Sequence, residues 1–183
     1  MMVHQLTDPL GTVSGGTTGA GLGTALPATG LRRGDGVTVL AGNRPEAVLV
    51  RVAANLIGCR VAMLHTDRPV ADQIALAESA GTAAFVFGPA RFGAAAARIG
   101  AELPSAELLA LGPTGPGTDL LEPAAPLPAE PVAPRFRPED AMAVRFTGGS
   151  TGRPKGGLRR SVRPPRPELV AATVRTPTAM QGY

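Results

Sequence analysis

The sequence predicts an α/β fold, a parallel sheet flanked by helices, and three observations carry that expectation. Short apolar runs alternate with longer segments whose apolar residues recur at helical spacing. Gly, Asp and Pro stand at the junctions, where turns and helix ends call for them. The resulting order of strand, helix, strand, helix, strand, helix, strand is that of parallel strands joined by right-handed crossovers. At 183 residues and 44% hydrophobic the chain can build one real core, and a wholly disordered state is set aside. Aromatic residues make up only 3%, so that core must come from Ala, Val, Leu and Ile.

The first thirty residues carry little pattern. Gly15, Gly16, Gly19, Gly21, Gly23 and Pro27 are too many breakers for a stable helix or strand, so residues 1–30 are expected to be a low-complexity, glycine-rich arm. Order is expected from Leu31. Val37 to Ala41 reads as a buried strand after the turn at Gly34 and Asp35. Asn43 is the expected cap of a helix with Pro45 in its first turn. Leu49, Val52, Ala53, Leu56 and Ile57 would form its apolar face, and Gly58 its stop. Arg60 to His65 reads as the second strand. A helix from Asp67 and Pro69 to Ala80 comes next, with Val70, Ile74 and Ala77 inward and Gly81 ending it. Ala83 to Phe87 is the third strand, Pro89 to about Leu103 an Ala-rich helix, and Leu108 to Leu111 a fourth strand. Nine prolines between Leu103 and Pro138 mark residues 104–138 as a linker or surface excursion. Ala141 to Phe146 then resumes a strand, so the α/β domain is expected over residues 31–157.

Several function classes recede on composition. No apolar run approaches the roughly 18 to 20 residues that span a bilayer. The amino-terminal stretch lacks a basic start followed by an apolar segment, so the expected compartment is the cytoplasm. A single cysteine, Cys59, excludes an internal disulfide framework and is expected to be buried and inert. His4 and His65 lie far apart with no acidic partner at ligand spacing, so no metal site is expected from them. Glu139 and Asp140 read as turn and cap residues. The net charge of +4 invites a nucleic-acid reading, but residues 1–155 balance 13 basic against 13 acidic side chains. The excess comes from Arg159, Arg160, Arg163, Arg166 and Arg175 against Glu168. Residues 158–183 therefore read either as a basic Arg/Pro arm or as a truncated segment with a short helix over Glu168 to Arg175. No aromatic interleaves those arginines to stack on bases, and a nucleic-acid partner is not expected.

The chemistry concentrates after the last strand. Thr147 to Gly157 reads TGGSTGRPKGG, and Lys155 is the one lysine among 18 basic residues. Gly148, Gly149 and Gly152 let the backbone approach an anion, whose amides then form a concave site. Thr147, Ser150 and Thr151 add hydroxyl donors, Lys155 adds a compact cation, and Pro154 stiffens the loop. The combination suits a polyphosphate. It is not the common phosphate loop, since Gly156 rather than a hydroxyl residue comes after the lysine. The alternative on composition alone is a flexible surface turn, and SGGTTG at Ser14 to Gly19, with no strand before it or lysine after it, is read that way.

FTGGSTGRPKGG from Phe146 resembles the signature loop of the adenylate-forming superfamily, the AMP-binding ligases that include acyl-CoA synthetases. Gly148 stands where that family usually has serine. LRRGDGVTVLAGNRPEAV from Leu31 and LIGCRVAMLHTDRP from Leu56 are similar to the family's early strand and helix segments, in the same order. The resemblance implies a partial N-terminal lobe of an adenylate-forming enzyme. It implies an enzyme that activates a small carboxylic acid with ATP and magnesium, a fatty or aryl acid by default, and passes the acyl group to coenzyme A. Thr147, Ser150, Thr151 and Lys155 would contact phosphate oxygens, with Gly148, Gly149 and Gly152 supplying backbone proximity. The family's magnesium ligand, ribose-binding aspartate and catalytic lysine would all fall beyond Tyr183, so a fragment inactive alone is the expectation. A non-catalytic remnant or bare nucleotide-binding module is the alternative.

Overall fold

The computed structural model describes residues 19–122, 134–147 and 155–160. Within them a seven-stranded sheet runs β5-β4-β3-β1-β2-β6-β7. Its strands are β1 (Gly36–Leu40), β2 (Arg60–Met63), β3 (Thr82–Phe87), β4 (Glu107–Ala110), β5 (Thr118–Asp119), β6 (Ala141–Thr147) and β7 (Lys155–Arg160). The helices are α1 (Gly19–Ala28), α2 (Pro45–Leu56), α3 (Val70–Ser79) and α4 (Pro89–Glu102). Every strand pair from β5 to β6 is parallel; only β7, beside β6, is antiparallel.

The strand order explains the layering. The chain steps from β1 to β2 through α2, then returns across β1 to β3 through α3, and continues outward to β4 through α4. Right-handed crossovers in opposite directions must place α2 on one face and α3 and α4 on the other. The side chains bear this out by alternation. Val37, Val39, Ala84 and Val86 join α2 residues Val50, Ala53 and Ala54 in one core. Leu40, Phe85 and Phe87 join Leu76, Phe92, Ala96 and Ile99 in the other. Strands buried on both faces read as continuous apolar runs, which is why they are visible in the sequence.

Four expectations need correction. Residues 19–28 are helical, although the glycines argued against it. Leu22 and Leu26, one helical turn apart and fully buried, pack into the core shared with α2, and tertiary burial overrides the weak propensity. Asn43 does not cap α2: Arg44 occupies the cap position with no side-chain hydrogen bond, and Pro45 opens the helix as expected. Val52 faces outward at 37% exposed, because the buried stripe is centred on Val50, Ala53 and Ala54. In α3 the buried residues are Gln73, Leu76 and Ala77; Ile74, half-buried, packs against the same core as expected, but Val70 at the first turn is only half-buried.

Two further differences lie in the second half. The proline-rich interval carries not only β4 but the short parallel strand β5, held where Asp119 Oδ1 accepts from the Gly112 and Leu121 amides at 3.0 and 2.8 Å. Gly117 bends the chain between them at φ +84°, where a Cβ would collide with the Leu108 carbonyl. Residues Lys155–Arg160, expected to be part loop and part tail, form β7, so the sheet carries an antiparallel edge. The expected arm over residues 1–18 and the tail over 161–183 lie outside the described residues.

Candidate functional site

In an open parallel sheet, ligands bind beyond the carboxyl ends of the strands. β6 runs parallel to β2, pairing Val61 with Ala143 and Ala62 with Val144, so Thr147 arrives at that edge. β7 starts there and runs back. Thr147 pairs with Lys155 as the last register pair of the β6–β7 ladder, which brings the two ends of the predicted phosphate loop opposite one another. Gly148, Gly149, Ser150, Thr151 and Gly152, the other predicted contacts, lie outside the described residues. Phe146 is half-buried against the core residues Ala62, Ala80 and Val144, and so ties the strand to the sheet just before the loop.

The antiparallel return of β7 matters chemically. It brings the backbone of the sole lysine to the same sheet edge as the Thr147 backbone, a placement the sequence alone left open.

Elsewhere along this edge a depression of about 690 Å³ opens beside the ends of β3 and β4, lined by Arg44, Pro89, Leu111, Gly112, Asp119 and Glu122 among others. It is not the predicted site, since β1 and β2 stand between β3 and β6. Arg44 in it is engaged structurally, donating to both Glu46 oxygens at 3.3 and 3.0 Å and to the Leu111 carbonyl at 3.3 Å. Glu46 is the buried partner of that pair.

The remaining reactive side chains have structural employment. Cys59 is fully buried and its thiol donates to the Arg32 carbonyl at 3.2 Å. Burial, with Asp35 adding to it, pushes that thiol up to about 12, the opposite of what a nucleophile needs. β2 stops at Met63, short of the expected His65, which is exposed two residues beyond the strand with its carbonyl accepting from Gln73 Nε2 at 3.3 Å. Asp140 accepts a two-pronged contact from Arg33, Nε to Oδ2 at 2.8 Å and Nη2 to Oδ1 at 2.5 Å. It also accepts from the Arg137 amide at 2.7 Å, while Glu139 reaches Arg33 at 3.4 Å. The Arg33 fork, followed by the Arg137 amide, holds the Asp140 carboxyl below the usual carboxylate range. Among the described residues no three His, Cys, Asp or Glu side chains gather as ligands for an ion. Among them also, no helix is long and apolar enough to cross a membrane.

A mostly parallel sheet flanked by helices, with the antiparallel β6–β7 hairpin beside β2, matches the N-terminal region of adenylate-forming enzymes. The chain belongs to the AMP-binding enzyme family, whose model matches residues 20–159. It is 30% identical over 140 residues to the medium/long-chain-fatty-acid–CoA ligase FadD8 of Mycobacterium tuberculosis, covering 72% of this chain and 24% of that protein. It is 33% identical to the amide bond synthetase McbA of Marinactinospora thermotolerans, with a TM-score of 0.69 over 86% of this chain and 34% of that one. The anthranilate CoA ligase AuaEII, solved with anthranoyl-AMP, shares the fold at 20% identity and a TM-score of 0.68, covering 78% of this chain and 28% of that one. The chain thus spans about a quarter of the curated relative's length.

Proposed function

We propose that this chain supplies the phosphate-binding lobe of an ATP-dependent acyl-CoA synthetase. The reaction joins a carboxylic acid to AMP with loss of pyrophosphate, and then passes the acyl group to the thiol of coenzyme A. The observation that carries the reading is the opposition of Thr147 and Lys155 across the β6–β7 hairpin within a chain of the AMP-binding family. On this reading Thr147, Ser150, Thr151 and Lys155 hold the outer phosphates of ATP, with Gly148, Gly149 and Gly152 letting the backbone close on them. Their task is to stabilise the charge that builds on pyrophosphate as it leaves. Magnesium would supply further neutralisation when bound.

The acid is a fatty or aryl carboxylate, FadD8 being a fatty-acid–CoA ligase and AuaEII an anthranilate CoA ligase. The setting is the cytoplasm. A second reading comes from McbA, an amide bond synthetase at 33% identity: adenylation is kept and the acyl acceptor is an amine in place of a thiol. The phosphate chemistry is common to both.

Thermal unfolding of the chain with and without ATP tests the proposal. ATP at about one hundred times its Kd stabilises a folded protein by about 2.7 kcal/mol. Removing one charge-assisted contact costs about 1.5–3 kcal/mol, so Lys155→Ala should weaken ATP and pyrophosphate binding roughly ten- to a hundred-fold. Stabilisation equal in the wild type and Lys155→Ala would remove the phosphate reading. Salt-sensitive binding to any DNA, lost on deleting residues 158–183, would replace it with the nucleic-acid one.

A further inference from the structure

The β6–β7 hairpin is weakly tied to the sheet that carries it. Its own strands share six register pairs, whereas β6 and β2 share two. The chain between Asp119 of β5 and Ala141 of β6 is 21 residues long and rich in proline, too far for the connection by itself to fix the register of the next strand. Something else must set where β6 enters the sheet.

The ladder also contains an irregularity. Ala141 pairs with Arg160 and Ala143 with Arg159, so Met142 is one residue too many on β6. Such a bulge leaves its residue outside the ladder and shifts every later pair by one. Here the shift decides that Thr147 meets Lys155, with seven residues between them; one step the other way would place Pro154, which has no amide proton, opposite Thr147. The Met142 carbonyl, outside the ladder, is claimed by Asn55. The Asn55 Nδ2 donates to it at 2.8 Å and to the Cys59 carbonyl at 3.0 Å, tying the bulge on β6 to the entry of β2. Two residues earlier Asp140 is gripped by Arg33, and the Arg135 amide donates to the Leu56 carbonyl at the end of α2 at 2.7 Å.

We propose that Asn55 and the Arg33–Asp140 pair form a latch that fixes the bulge at Met142 and so sets the register of the hairpin bearing the nucleotide phosphate loop. These are positioning residues, at the opposite end of β6 from the loop. The ligand half of the proposal rests on the phosphate reading above; the mechanical half stands on the hydrogen bonds.

Hydrogen exchange of the full chain, read on peptides over 141–147 and 155–160 against 36–40 and 82–87, tests it. Asn55→Ala and Asp140→Ala should each raise exchange in the hairpin peptides about ten-fold, because the first leaves the Met142 and Cys59 carbonyls, and the second the Arg33 guanidinium and the Arg137 amide, without these partners. Exchange in β1 and β3 should not change. The ATP-induced thermal shift should fall by at least half. The exchanged pair Arg33→Asp with Asp140→Arg should recover hairpin protection. Unchanged hairpin exchange, or a uniform rise across all four peptides, would overturn the latch. A wild-type chain with no ATP shift would overturn the phosphate reading and the ligand half alone, with the exchange pattern still deciding the mechanical half.

Discussion

Leu26→Ala probes the helix that the glycines of the arm argued against. Leu26 is 0% exposed, as is Leu22 one turn before it, and both sit in the core with Val50 and Ala54 of α2. Truncation deletes three buried carbon groups, each worth about 0.8 kcal/mol on transfer from water. That gives about 2.4 kcal/mol before any cavity is counted. A core that relaxes only partly adds to it, and Leu→Ala changes at such sites cost about 2.7–5 kcal/mol. With a urea m-value of about 2 kcal/mol/M, the unfolding midpoint should drop by at least about 1.2 M. Val48→Ala is the control on the outer face of α2, 59% exposed, and should move the midpoint by less than about 0.3 M. Equilibrium urea unfolding monitored by far-ultraviolet circular dichroism reads both. If the two variants shift alike, α1 is not docked, and burial is not what makes residues 19–28 helical.

Gly117→Ala should destabilise by at least about 2 kcal/mol, because φ is +84° and the new Cβ meets the Leu108 backbone, which no rotamer can avoid. Gly93→Ala in α4, where a Cβ meets nothing within 4 Å, should instead stabilise by about 0.5–1 kcal/mol, and thermal melts of the pair decide. Cys59 should resist iodoacetamide at pH 8 in the folded chain and react once urea is added, since burial pushes its thiol up to about 12; rapid native labelling by mass spectrometry would contradict the assignment. The Asp140 carboxyl is held below its unfolded value by Arg33, so its contribution is present above about pH 4 and fades as pH falls through the lowered value. Asp140→Asn should therefore lose less stability than the wild type between pH 6 and pH 3, and equal losses in urea titrations would count against the pair.

Much of this architecture can be read without coordinates. Val37 to Ala41 and Ala83 to Phe87 are apolar without alternation, because helices cover both faces of the central strands. Gly58 and Gly81 end helices at φ +84° and +61°, where a side chain is strained, so composition marked those stops. The glycines, hydroxyls and sole lysine of Thr147 to Lys155 suggest an anion-binding loop from residue type alone, and that reading stands as the proposal above.

Other features depend on groups distant in sequence. Leu22 and Leu26 make a helix only because α2 offers them a surface, and helix formation in so short a segment is governed by packing more than by propensity. The hidden amide of Gln73 and the outward Val52 show the same limit: periodicity gives the existence of a face but fixes its direction only to within a residue or so. Lys155–Arg160 looked like loop and tail since its Gly, Gly and Arg residues have no strand pattern of their own, and it is a strand because β6 lends it a ladder. The bulge at Met142 and the Asn55 contact that holds it join positions 87 apart. Residue types thus specify local turns and buried runs; register and docking are settled by long-range contacts, whose energies enter only once the chain has closed on itself.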